Sequence, residues 1–363
     1  MIAYCTNVHP ARDLTGILEQ LDRHAVGVRE RLAADVLPLG LWLPASVARG
    51  LVSDKHARRR FRTELEARGL EVSTLNAFPH GDFHDTVVKR AVYLPTWGDS
   101  RRLAYTADCA VVLADLLPDS AAYGSISTLP LAWRQGWTAR DDDRAHQTLS
   151  EMTRLLRAES ARLGKPIRLG VEPEPGCVLD TVADAVEWLA HRVDPDHVGI
   201  CLDTCHLAVS FADPAKTVAA IHRAGLSVVK VQASAALEVA DPSTDEGREA
   251  IAMFAEPRYL HQVRENHPDG ILAADDLLEA LTDLPSEHPW RVHFHVPLHA
   301  APRAPLASTT DVLLAAMAVV ADDVHVEVET YTWTVLPDAG DLTEGIAAEL
   351  RWAHEHLRTG VGV

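Results

Sequence analysis

The stretch "VHVEVETY", residues 324–331, alternates strictly. Val324, Val326 and Val328 fall on one face of an extended strand, and His325, Glu327, Glu329 and Tyr331 on the other. The apolar face suits packing beneath helices. The polar face carries two carboxylates and an imidazole. Helices cover a doubly wound sheet and a barrel alike, but in a closed barrel every second strand residue faces the interior.

The same alternation recurs along the chain. Strand 167–173 sets Ile167, Leu169 and Val171 against Arg168, Gly170 and Glu172, with Glu174 following. Strand 197–203 sets Val198, Ile200 and Leu202 against Gly199, Cys201 and Asp203. Strand 227–233 sets Val229, Val231 and Ala233 against Val228, Lys230 and Gln232. Strand 291–297 sets Val292, Phe294 and Val296 against Arg291, His293 and His295. Runs 2–8, 37–43 and 70–77 complete eight strands; the first offers Asn7 and His9, the third Asn76. Helical patterns occupy 12–33, 46–68, 99–117, 143–163, 178–192, 214–224, 244–266, 274–283, 309–321 and 343–357. Strand–helix alternation over the whole length predicts an α/β fold, a (β/α)8 TIM barrel with insertions in its βα loops. No linker divides the chain, so 1–363 reads as a single domain. A ninth, weaker candidate lies at 121–131 (AAYGSISTLPL). Either it is a barrel strand and a later one is extra, or it is a long loop. The region 234–290 also exceeds what one crossover needs.

Composition narrows the function classes. Of 363 residues 47% are hydrophobic, enough for a large core. The formal net charge of −18 repels nucleic acid at long range. The start, MIAYCTNVHP, lacks the basic and apolar segments of a signal peptide, and no apolar run reaches membrane-spanning length. A soluble cytoplasmic protein with neither nucleic-acid nor membrane partners is expected. Five cysteines, an odd number, read as thiols rather than a disulfide framework.

The polar residues cluster at the C-terminal ends of the strands, where barrels carry their chemistry. Glu172, Asp203, Gln232, His295 and Glu329 would point toward one axial location. Burying three carboxylates together is costly, because each loses hydration and repels the others. A divalent cation resolves that cost. Oxygen ligands with one amide or imidazole suit Mn²⁺, Mg²⁺ or Co²⁺, with Mn²⁺ foremost; Zn²⁺ enters if more histidines join. Asn7, His9, Asn76, His80 and Trp97 belong to loops or strand ends on the same side. Arg303 offers a planar fork for a carboxylate or phosphate. Cys201 lies two residues deeper than Asp203 on the inward face, as a small filler.

At "VEPEPG" (171–176), "CLDTCH" (201–206) and "VEVETY" (326–331) the chain resembles the xylose isomerase-like TIM-barrel superfamily. That group includes ketose 3-epimerases, inosose isomerases and dehydratases, 3-dehydroshikimate dehydratases and endonuclease IV. The whole chain is most similar to the EboE subgroup, labelled metabolite traffic proteins. "YCTNVHP", "NAFPHGDFH", "VYLPTW", "GSISTLPLAWR" and "KVQASAAL" are among the matching segments. The label describes genomic context rather than chemistry.

The resemblance implies one divalent metal held by Glu172, Asp203 and Glu329, with Gln232 in a slot that is His in most members and Gln in some dehydratases. "VHFHVPLH" (292–299) resembles the H-x-H ligand strand of the ketose 3-epimerases, so His295 could take that place instead of, or beside, Gln232. It implies an isomerase or epimerase acting on a sugar, hydroxyketone or cyclitol through an enediolate. Glu329 would be the base and Glu172 would serve the opposite face. His206 and His295 would supply an acid or bind oxygen atoms, and Asn7, His9, Asn76, His80, Trp97, Glu174 and His293 would line the pocket. A dehydratase of a cyclitol or dehydroshikimate-like substrate, and a carrier without turnover, are the competing expectations. Phosphodiester hydrolysis of the endonuclease IV kind would need three zinc ions.

Overall fold

The computed structural model describes residues 1–357. Eight all-parallel strands close into a barrel: β1 (Ile2–Cys5), β2 (Leu37–Trp42), β3 (Leu70–Asn76), β4 (Gly124–Thr128), β5 (Ile167–Val171), β6 (Val198–Asp203), β7 (Val228–Ala233) and, last in the chain, His325–Val328. Between β7 and that last strand the chain builds a second, five-stranded antiparallel sheet from β8 (Leu237–Val239), β9 (Val263–His267), β10 (Gly270–Ala274), β11 (Trp290–Val292) and β12 (Leu306–Ser308). The closing barrel strand is therefore β13, which pairs with β7 and β1.

The first alternative for the ninth segment holds: 124–128 is a barrel strand and a later one is extra. The extra one is 291–297, whose reading as a barrel strand is corrected. Its first residues belong to β11 in the inserted sheet, and the rest continues as irregular chain toward the barrel mouth. The helical reading of 244–266 also fails beyond the helix Asp245–Ala252, because residues 263–267 pair as β9. The pattern 46–68 divides into two helices at Asp54, whose carboxylate caps the second through the amides of His56 and Ala57.

The barrel interior below the mouth is polar. Lys230 and Glu327 are fully buried and form an ion pair on neighbouring strands. Glu327 fits because β2 presents Gly40 opposite it; a Cβ there would lie 1.5 Å from Glu327 Oε1. Ser125 donates to Thr74 Oγ1 at 2.8 Å and lies 2.8 Å from His325 Nδ1, and the His325 ring stacks on Tyr123 at 3.9 Å. The apolar faces named from the sequence pack outward. Val326, Val328, Leu169, Val171, Ile200 and Leu202 are all buried in the main hydrophobic core under the helices.

Candidate metal centre at the barrel mouth

Glu172 and Glu329 stand one residue past their strands. Each is held there by its own amide, Glu172 N–H on Thr128 O at 3.0 Å and Glu329 N–H on Ala233 O at 3.1 Å. Asp203 ends β6 and caps the helix Thr204–Val209. Its Oδ1 accepts from His206 N at 2.9 Å and from Ser234 Oγ at 2.8 Å, so that oxygen is saturated and the other points free. One oxygen each of Glu172, Asp203 and Glu329 lie within 4.8 Å of one another. Glu329 Oε1 accepts from Asn7 Nδ2 at 2.5 Å and Asn76 Nδ2 at 2.9 Å.

The inserted sheet delivers the histidines. His295 Nδ1 sits 2.7 Å from the Glu329 carbonyl oxygen. A carbonyl only accepts, so Nδ1 carries the proton and Nε2 keeps its lone pair. That lone pair lies 3.9 Å from Asp203 Oδ2. Asp203 Oδ2, His295 Nε2 and both amide atoms of Gln232 are buried with no hydrogen-bond partner among the described residues. Buried polar atoms are rarely left bare, and bare acceptors beside three carboxylates fit a divalent cation. A ligating imidazole that donates its other N–H to a backbone carbonyl is the usual supporting arrangement.

A histidine-rich group adjoins this floor. His206 Nδ1 lies 2.9 Å from Pro173 O, and His293 Nδ1 lies 2.6 Å from Gln262 Oε1. Their Nε2 atoms meet at 3.0 Å. Two bare nitrogens repel at that distance, so the pair is set to share a proton or a cation. Glu174 is held beside them by Tyr93 OH at 2.7 Å and Gln262 Nε2 at 3.4 Å.

Burial and then the neighbouring carboxylates push Glu172 and Glu329 well above the usual carboxylate range. Burial, outweighing the bonds from Tyr93 and Gln262, lifts Glu174 to about 8. Burial lowers His206 to about 4 and also depresses His293 and His295.

These shifts set a signed pH dependence for the metal-free protein. A carboxylate raised in the folded state takes its proton there first, so stability rises as pH falls from about 8, through Glu174 and through Glu349, which burial lifts to about 7. Below 6.5 the unfolded histidines charge while buried His206 and half-buried His84 stay neutral to about 4, which opposes the gain. Below 4.5, the ordinary glutamate value, the gain from the raised carboxylates ends, carboxylates held low by their bonds, such as Glu256 and Glu265, add to the histidine effect, and stability falls. Calorimetry across pH 4–8 is expected to show the metal-free thermal midpoint rising from about pH 8 to about pH 6.5 and falling below about pH 4.5.

Most of the sequence candidates share one cavity of about 520 Å³, counted out to open solvent. Asn7, Asn76, Glu172, Glu174, His206, His293, His295 and Glu329 line it. Asp203 and Gln232 lie beneath them, buried at the strand ends. Four other candidates lie elsewhere. His9 is buried against Tyr4 OH at 2.7 Å and stacks on His24. His80 lies edge-on to Tyr105 at 5.0 Å. Trp97 is fully buried, its Nε1 donating to Thr128 Oγ1 at 3.2 Å. Arg303 is a surface charge 3.2 Å from Asp338. Sequence reasoning missed Tyr93 and Gln262, which hold Glu174 and His293. Tyr93 stands in the quoted segment "VYLPTW", and Gln262 carries no sequence signal.

The fold is a closed parallel barrel with a candidate metal-ligand set at its C-terminal mouth. The family model for the xylose isomerase-like TIM barrel matches residues 40–285, and the chain belongs to that family. The matched span includes Glu172, Asp203 and Gln232 and ends before His293, His295 and Glu329. No curated protein sequence matches the chain significantly. Among solved structures it is similar to the IolI protein with a bound zinc atom, at 13% identity and TM-score 0.51, covering 100% of this chain and 99% of that one. It is also similar to 3-keto-D-glucoside 4-epimerase, YcjR, from E. coli, at 19% identity and TM-score 0.40, covering 64% of this chain and 78% of that one. A D-tagatose 3-epimerase-like protein matches at 17% identity and TM-score 0.42, covering 68% and 79%. The IolI likeness is one of fold. Among the described residues no helix is long and apolar enough to cross a membrane.

Proposed function

We propose that the chain is a divalent-metal-dependent isomerase or epimerase acting on a sugar, hydroxyketone or cyclitol. The observation that carries this reading is the set of bare acceptors, Asp203 Oδ2, Gln232 Oε1 and His295 Nε2, among the carboxylates of Glu172 and Glu329. Glu172, Asp203 and Glu329 would hold the ion, with Gln232 or His295 completing the set. The ion, when bound, polarises a carbonyl and its neighbouring hydroxyl and acidifies the adjacent C–H.

The chain's own groups then move the proton. Glu329 takes it from carbon, its Oε1 oriented by Asn7 and Asn76. Glu172 serves the opposite face, as an epimerase requires. His206, neutral near pH 7, orients a substrate oxygen. The zinc in the similarly folded IolI structure accords with a divalent ion. The bare amide of Gln232 favours a second reading, a cyclitol or dehydroshikimate-type dehydratase. We place the chain with the EboE subgroup on its matching segments. Its five cysteines, all free and buried, support a reducing cytoplasm.

Metal analysis of the purified full chain tests the reading. One divalent ion per chain is expected, lost in Asp203→Asn with the fold retained by circular dichroism. Three ions per chain would point to phosphodiester hydrolysis. None after saturation with Mn²⁺, Co²⁺ or Zn²⁺ would leave only the carrier reading.

A further inference from the structure

The cavity has two chemically different halves. Its inner end is the carboxylate, amide and imidazole floor. Its outer walls are apolar: Phe78, Phe83, Val88, Val92, Tyr259 and Leu260. Phe83, Val88, Tyr259 and Tyr331, with Trp42, form a hydrophobic cluster separate from the main core. The polar atoms of these walls are turned back into the protein. Tyr259 OH donates to Phe83 O at 3.2 Å, Trp42 Nε1 to Pro79 O at 2.9 Å, and Lys89 Nζ to Asp276 Oδ2 at 2.5 Å. The boundary falls at Tyr331, whose ring centroid lies 4.7 Å from that of His295. Val87 and Leu94, close to wall residues in the chain, are 59% and 61% exposed.

A free sugar or cyclitol bears a hydroxyl on nearly every carbon. Hydroxyls reaching the outer half would exchange water for ring faces and aliphatic carbons, with few partners. An apolar group there would instead bury against a preformed wall. We propose that the ligand of this site is amphiphilic, a small polyol or cyclitol head bearing an apolar aliphatic or aromatic substituent that lies along the Phe83, Val92 and Leu260 wall. This rests on reading the inner end as a polyol site.

The test is a calorimetric or saturation-transfer NMR titration of the Mn²⁺-saturated full chain. The probes are 1,2-ethanediol, 1,2-butanediol and 1,2-hexanediol, beside erythritol and a hexitol of matched carbon number. The dissociation constant is expected to fall roughly threefold for each added methylene. 1,2-Butanediol is expected to bind more tightly than erythritol, and 1,2-hexanediol more tightly than the hexitol. Val92→Asn and Leu260→Asn are each expected to flatten the dependence on chain length. A flat series, or a hexitol tighter than 1,2-hexanediol, overturns the amphiphilic ligand and leaves the polyol site intact. Failure of every diol and polyol to bind overturns it too, and metal content then tells whether the polyol site falls with it.

Discussion

Glu329→Gln is expected to slow proton exchange at the substrate carbon by roughly 10²–10⁴-fold, the usual worth of a positioned general base. The fold is expected to survive for a specific reason. The amide oxygen of Gln can still accept from Asn7 and Asn76, which now hold Glu329 Oε1. Burial and the repulsion of Asp203 and Glu327 press on the Glu329 carboxylate, so neutralising it relieves the metal-free protein. The variant should therefore melt no lower than the parent without metal, while binding the divalent ion more weakly. Exchange rate, thermal midpoint and metal affinity together separate a lost base from a lost fold. Unchanged exchange would leave Glu329 without the assigned role.

Lys230→Met is expected to destabilise the protein by about 3–5 kcal/mol, the cost of leaving one partner of a buried ion pair uncompensated. Lys230 and Glu327 are both fully buried in the barrel interior. Burial pushes the Lys230 ammonium down, but Glu327, with Cys201 and Cys5 beside it, holds the ammonium above its ordinary value. Methionine preserves length and most of the volume, so packing contributes little to the expected loss. The double change Lys230→Met, Glu327→Gln should recover much of it, since no unpaired charge remains. Chemical denaturation of the metal-free forms checks both. A single variant as stable as the parent would mean that Glu327 finds compensation elsewhere.

The barrel and its floor were legible because their signals are periodic. Valines alternate with His325, Glu327 and Glu329, and equivalent strand ends carry Glu172, Asp203 and Gln232. What misled was the same periodicity in a different setting. "RVHFHV" alternates as cleanly as a barrel strand, but Trp290–Val292 pairs antiparallel with β8 and β9, and the histidines reach the mouth from outside the barrel. "GSIST" looked weak because its inward residues, Ser125 and Ser127, are small. That smallness has a cause, since Ser125 bonds Thr74 and approaches His325, while Ser127 accepts from Lys230 Nζ at 3.4 Å. One signal was present and unread. "HPDG", 267–270, joins β9 to β10 with the residues a tight turn prefers. The outer aromatic wall gave no signal, because its residues come from separate loops that only the fold brings together.

Deuterium incorporation tests the central claim most directly. The Mn²⁺-loaded chain is incubated in D2O with a panel of sugars, ketoses and cyclitols, with and without an apolar substituent, and each recovered compound is analysed by NMR and mass. Label at the carbon beside the carbonyl is expected, abolished by metal removal and strongly reduced in Glu329→Gln. Metal-loaded protein that binds a compound of this class but leaves every C–H unexchanged would contradict the account.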